Sequence, residues 1–225
     1  MNRFLARGLA TATLVASLAP AALAQGTSPA FADKPFTDVP SNSAGYEGIE
    51  YLRQGNVLTG YEDGTFKPDN RLNRAEFAKL IANPFIMKNS RVTDCINENM
   101  EEDDMTVFFP DVQRDAWYGA SVCAVKVAEI VDGYPDGEYK PNRTINVAEA
   151  MKMLAGVFAY ETKTEPNDDW FMPYARALAE RNAIPTSINN FSDPITRGEM
   201  AEILYRLKAD RQDKASQSLG NIRKY

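Results

Sequence analysis

Arg74 and Arg197 each follow a helix-capping residue type, Asn73 and Thr196, and each cap has a glutamate three positions further on, Glu76 and Glu199. This spacing puts a cation at the first helical position, facing the positive end of the helix dipole, at a cost of about 0.3 to 1 kcal/mol. A residue kept there for stability alone would be acidic. The placement makes sense if an anion sits between the guanidinium and the free backbone N–H groups of the first turn. A helix start already attracts anions, and arginine adds a planar, bidentate fork. The competing reading is a surface ion pair with Asp69 or Asp193, which would contribute little.

Other chemistry is poorly supplied. The chain has no histidine and two cysteines, and it shows neither a GxSxG string nor a zinc-ligand spacing, so His-based acid–base, nucleophilic and metal catalysis lack their residues. A carboxylate pair of the glycosidase kind is what remains. The repeated glutamates are already explained as helix caps, and Asp63 and Asp136 as turn residues, so the chain reads as no enzyme and no cofactor is implied. Glu98, Glu101, Glu102, Asp103 and Asp104 cluster, but without the alternating spacing and the glycine of a calcium loop. No metal site is expected.

Arg3 and Arg7, an apolar run from Gly8 to Leu23 and the string Ala22-Leu23-Ala24 make residues 1–24 a secretory signal peptide. The run is short for a bilayer and contains Pro20, and no other segment could span a membrane. Removing the leader takes away two arginines and no acids, moving the formal charge from −6 to −8. An acidic mature chain argues against nucleic acid as a partner bound through bulk charge. In an exported chain, Cys95 and Cys123 are expected to pair, and closing a loop of 28 residues is worth about 3.5 kcal/mol in the chain-entropy model. The alternative is a buried thiol at Cys123 and an exposed one at Cys95.

The elements that must position these residues repeat. Gly60 to Phe77 returns at Gly133 to Ala150 with an offset of 73, matching the glycines, Tyr61 with Tyr134, Asp63-Gly64 with Asp136-Gly137, Pro68 with Pro141 and Glu76 with Glu149. A shorter copy follows, Ile195 to Glu199 matching Ile145 to Glu149 at an offset of 50. Such self-similarity marks repeated supersecondary units that are too small to be stable alone and share a core. The first helix of repeat one should run from Ala44 to Gln54 with Gly55 as C-cap, burying Tyr46, Ile49 and Leu52. The same face in repeat two is Trp117, Val122, Val125 and Ile130. Asp63-Gly64 and Asp136-Gly137 read as tight turns needing positive φ. The second helices start at the caps Asn73, Asn146 and Thr196 and bury Phe77, Leu80 and Ile81, then Met153, Leu154 and Val157, then Met200, Ile203, Leu204 and Leu207.

The organisation expected is therefore signal peptide 1–24, linker 25–35, repeat one 36–85, acidic insertion 86–108 as a solvated loop, repeat two 109–158, a degenerate repeat three 168–209, and a polar tail 210–225 that frays.

The combination of FxDV at Phe36 to Val39 and Phe109 to Val112 (FPDV), an aromatic-led helix, GYxDGxF, a proline and then [TN]RxE resembles the S-layer homology (SLH) family over about Phe36 to Leu207. The resemblance implies a mainly α fold. Three helix-turn-helix repeats would stand in a pseudo-threefold arrangement around a central three-helix bundle, with short hairpin or turn segments. It also implies a non-catalytic module of the cell surface, a monomer with an internal pseudo-trimer, that binds cell-wall polysaccharide, often pyruvylated, in grooves between repeats and anchors itself or a partner to the envelope or S-layer. Carried over by motif, the ligand-binding residues would be Arg74, Arg197, Trp117, Trp170, Asp63, Gly64, Asp136 and Gly137. Val147 takes the arginine place in repeat two, Ala44 the tryptophan place in repeat one, and repeat three lacks FxDV and the Asp-Gly turn, so three equivalent sites are not expected. The remaining alternatives are a protein adaptor using the same grooves and, more remotely, a carboxylate-dependent glycan hydrolase.

Overall fold

The structure, a computed structural model, describes residues 34–86 and 94–224. The expected signal peptide, most of the expected linker and residues 87–93 of the insertion lie outside them. The described chain is mainly helical: α1 (Tyr46–Gln54), α2 (Arg74–Ile81), α3 (Asp94–Asn99), α4 (Gly119–Val127), α5 (Val147–Val157), α6 (Met172–Ala179) and α7 (Arg197–Lys208), with a small antiparallel pair, β1 (Thr106–Val107) and β2 (Phe109–Gln113). No helix among the described residues is long and apolar enough to cross a membrane.

The three expected helix starts form as their residue types dictate. Asn73, Asn146 and Thr196 each accept a hydrogen bond from the backbone N–H of the glutamate three residues on, and each glutamate carboxylate accepts from the cap's own N–H. The remaining N–H groups of these first turns, expected from sequence to be free for an anion, are instead satisfied from the neighbouring repeat. Arg74 and Ala75 donate to the carbonyls of Arg143 and Pro141, Val147 and Ala148 to those of Asp193 and Phe191, and Arg197 and Gly198 to those of Asn70 and Pro68. Immediately before the caps, Leu72 donates to Ile195, Ile195 to Ile145, and Ile145 to Leu72, at 3.2, 3.1 and 3.0 Å, which closes a ring of three backbone hydrogen bonds.

The most extensive contacts between helices of different repeats follow the same cycle, α2 against α4, α5 against α6 and α7 against α1. Leu52, Phe66, Leu72, Phe77, Tyr139, Ile145, Leu154, Leu178, Phe191, Ile195 and Leu204 from all three segments are buried in one apolar cluster. A core shared this way stabilises units that would each bury too little surface alone.

FxDV has a clear local task. Asp38 accepts from the N–H groups of Phe66 and Lys67, both at 2.7 Å, and Asp111 accepts from Tyr139 and Lys140 at 2.9 and 2.7 Å. Lys67 and Lys140 have positive φ, so the aspartate holds the chain where it turns against its usual preference. Phe36 stacks on Phe66 with ring centroids 5.2 Å apart, and a Cβ at Gly60 would lie 2.4 Å from the Phe36 ring. Only glycine permits that approach.

Four expectations change. Helix α1 starts at Tyr46, not Ala44, while Gly55 is its C-cap as expected, followed by Asn56 in the left-handed region. Trp117 precedes α4 and is exposed instead of lying on the buried face. The insertion carries structure: α3 is joined to α4 through the Cys95–Cys123 disulfide, and β1 pairs with β2 across Phe108. The tail is docked. Gln217 N–H donates to the Ile184 carbonyl, Phe191 N–H to Arg223 and Arg223 N–H to Asn189, while Ile222 is 5% exposed. It lies against the turn of segment three, which has no FxDV aspartate to receive its N–H groups.

Candidate functional site

Arg74 is 6% and Arg197 7% exposed, although both open helices at a repeat boundary. Arg74 Nε donates to the Tyr139 carbonyl at 2.8 Å, with its guanidinium 4.7 Å from the Tyr134 ring and 4.6 Å from the Tyr139 ring. Arg197 Nε donates to the Phe66 carbonyl at 2.8 Å and one Nη to Thr59 at 3.3 Å, with the guanidinium 5.0 Å from Tyr61 and 4.6 Å from Phe66. Each cation thus reaches into the turn of the following repeat and rests on two aromatic rings, which replaces part of its lost hydration. Burial pushes the Arg197 guanidinium down, an effect opposed by Tyr61, Glu76 and Asp38. The ion pairs considered from sequence do not form. Asp69 and Asp193 do not pair with these arginines, and among the described residues neither guanidinium has a carboxylate within 4.0 Å.

Two grooves open beside these arginines. The first, about 450 Å³, is lined by Arg197, Thr59, Gly60, Tyr61, Glu76, Lys79, Leu80 and Trp117. The second, about 500 Å³, is lined by Arg74, Asp132, Gly133, Tyr134, Glu149, Lys152, Met153 and Trp170. They correspond almost position for position at the offset of 73, each taking its arginine from one repeat, its turn and capped helix from the next, and its tryptophan from the one after. Trp117 is 57% and Trp170 56% exposed, and each ring stands nearly perpendicular to its neighbour, Tyr118 or Phe171. An exposed indole beside a buried guanidinium offers an apolar face for a sugar ring and a fork for an anion.

The grooves differ in their charges. In the first, the Lys79 ammonium lies 5.0 Å from the Trp117 ring. In the second, Lys152 pairs with Asp132 at 3.0 Å, Arg143 pairs with Glu149 at 2.7 Å, and the Tyr134 hydroxyl donates to Glu149 at 2.6 Å. Burial, then the bond to Glu149, pushes the Tyr134 hydroxyl up to about 12.

Asp63, Gly64, Asp136 and Gly137 line neither groove. Asp63 accepts from the Thr65 N–H at 3.0 Å and pairs with Lys67. Asp136 accepts from the Glu138 N–H at 3.1 Å and pairs with Lys140, while the two glycines supply φ of +79° and +81°. Their work is to fold the turn. Conversely, Tyr61, Tyr134, Lys79 and Lys152 line the grooves without having been singled out by residue type. The signal available was their recurrence at the same offset.

A third groove of about 560 Å³ lies where segment three meets repeat one, and it is built differently. The arginine place holds buried Val147, the tryptophan place Ala44, and the lysine place Glu202, which pairs with Arg206 at 2.7 Å. The arginine, tryptophan and lysine that the other two grooves share are thus all replaced, and the cation that lines this groove, Arg206, is held by Glu202.

A family model described as the S-layer homology domain matches residues 35–78 and 108–151. The surface layer protein of Brevibacillus choshinensis is 29% identical over 150 residues, 66% of this chain and 13% of that protein. The S-layer protein of Bacillus thuringiensis subsp. finitimus is 29% identical over 156 residues, 69% of this chain and 16% of that protein. The cellulosome-anchoring protein of Acetivibrio thermocellus is 28% identical over 121 residues, 52% of this chain and 23% of that protein. The chain therefore spans less than a quarter of the length of each of these relatives. Residues 35–78 and 108–151 are therefore S-layer homology domains.

Proposed function

We propose that the protein is a non-catalytic module of the cell surface that binds cell-wall polysaccharide in the Arg197 and Arg74 grooves, and so holds itself or a partner to the envelope or S-layer. One observation carries this reading: two buried guanidinium groups, neither with a carboxylate partner among the described residues, each line an open groove beside an exposed tryptophan. Leaving a buried charge uncompensated is costly, and a carboxylate ligand would offset that cost. The pyruvyl ketal of a wall sugar has such a carboxylate next to a ring that an indole can cover. Residues 168–209 act as a third, degenerate repeat that completes a pseudo-threefold ring and lends Arg197 and Trp170 to the sites without keeping one of its own. The relatives, surface-layer and cellulosome-anchoring proteins by name, support the same setting. The working unit is a monomer with no nucleic-acid partner.

Cosedimentation with purified wall sacculi, before and after chemical removal of their polysaccharide, tests this. The protein is expected to pellet with intact sacculi and to stay in solution with stripped ones. Pelleting with both would indicate a protein or peptidoglycan partner and overturn the proposal.

A further inference from the structure

The two grooves share a plan but differ in how many of their cations are free to meet a ligand. In the first, Arg197 and Lys79 line the same space, and among the described residues neither is paired with a carboxylate; Lys79 rests only against Trp117. In the second, Lys152 occupies the matching place but is held by Asp132, and the additional Arg143 is held by Glu149. The counterpart of Asp132 is Thr59, whose carbonyl receives a hydrogen bond from Arg197. One substitution between copies, Thr59 against Asp132, thus sets a carboxylate on one groove lysine and leaves the other with none within 4.0 Å among the described residues, the acid of that groove, Glu76, being engaged by the Asn73 N–H in its capping box. A carboxylate there both occupies the ammonium and repels a second anionic group on a ligand.

Resting on the polysaccharide reading above, we infer that the grooves accept ligands of different charge: the Arg197 groove engages two anionic groups at once, through Arg197 and Lys79, and the Arg74 groove engages one. Lys79 and Asp132 are the specificity-determining residues. The module would then fix a doubly charged stretch of the polymer, such as a sugar carrying a carboxylate and a sulfate or phosphate, in one groove, and a singly charged stretch in the other.

The chain holds two tryptophans, one per groove, so the two indole N–H signals in a nitrogen-15 NMR spectrum report the grooves separately. The probes are the methyl glycoside of a pyruvate-ketal sugar and the same glycoside with an O-sulfate placed on each free hydroxyl in turn. The best sulfated probe is expected to tighten about tenfold at the Trp117 signal and about twofold or less at Trp170, one extra charge contact being worth roughly a factor of ten at best. Lys79→Gln should abolish the gain at Trp117, and Asp132→Thr should create one at Trp170. Equal gains at both signals, or a gain at Trp117 that survives Lys79→Gln, would overturn the inference while leaving polysaccharide binding intact. If neither signal moves with any probe, the polysaccharide reading fails and the inference with it.

Discussion

Arg74 and Tyr139, 65 residues apart and in different repeats, bond to each other twice: Arg74 Nε donates to the Tyr139 carbonyl at 2.8 Å, and the Tyr139 hydroxyl donates back to the Arg74 carbonyl at 3.0 Å. The groove arginine is thus also a fastener between repeats. From sequence, replacing Arg74 and Arg197 by alanine should weaken binding with little loss of melting temperature. The structure gives a different expectation, because each truncation leaves a buried carbonyl without its donor. Arg74→Ala and Arg197→Ala are expected to cost about 1 to 3 kcal/mol each, and Tyr139→Phe about 1 kcal/mol. Denaturant titration checks the order. Val147→Ala, at the matching position of repeat two, should leave wall binding unaltered.

The Cys95–Cys123 bond joins α3 of the insertion to α4. Changing both cysteines to serine is expected to lower stability by about 3 to 4 kcal/mol, since the closed loop no longer limits the unfolded chain. Binding at 25 °C should persist, because neither cysteine lines a groove. A melting curve unchanged by reductant would show that the bond adds nothing.

Glu47 on α1 receives Lys214, Tyr205 and Arg211, tying the tail to repeat one. The Lys214 hydrogen bond, then those of Tyr205 and Arg211, hold its carboxyl at about 2, well below the usual 4.5. A depressed carboxyl contributes stability that is fully present above the unfolded value and lost as pH falls through the folded one. The melting temperature should therefore fall between pH 4.5 and pH 2 more steeply in the wild type than in Glu47→Gln. The difference is small, since the Glu47 side chain is 51% exposed. Parallel curves would remove the clasp from consideration.

Truncation after Phe158 removes the carbonyls of Asp193 and Phe191 that receive the first N–H groups of α5, and the helices α6 and α7 that cover α5 and α1. The remainder is expected to lose cooperative unfolding. A truncated chain that melts as sharply and as high as the whole would mean that the repeats are independent.

Much of this arrangement was legible in local chemistry. Asn73, Asn146 and Thr196 announce their helices because a cap and its glutamate lie three residues apart, and Asp63-Gly64 announces its turn because few residues tolerate that backbone. Relations that depend on chain closure were not legible. Nothing near Arg74 indicates that Tyr139 will accept its Nε, and nothing in the polar tail shows that Ile222 is buried or that Gln217 and Arg223 bond to segment three. Trp117 misled for a related reason. Its spacing fits the buried face of a helix, but α4 starts only at Gly119, so the indole turns outward into the groove.

Trp117 and Trp170 are more than half exposed and support little of the core, so Trp117→Ala with Trp170→Ala should leave the melting temperature within a few degrees of wild type. Equilibrium titration of solubilised wall polysaccharide fragments into the two proteins is the most direct test of the groove assignment. Wild type is expected to saturate at two sites per chain, and the double variant to lose about tenfold in affinity at each site, the one ring contact per groove being worth roughly 1.4 kcal/mol. Undiminished binding by a folded double variant would contradict it.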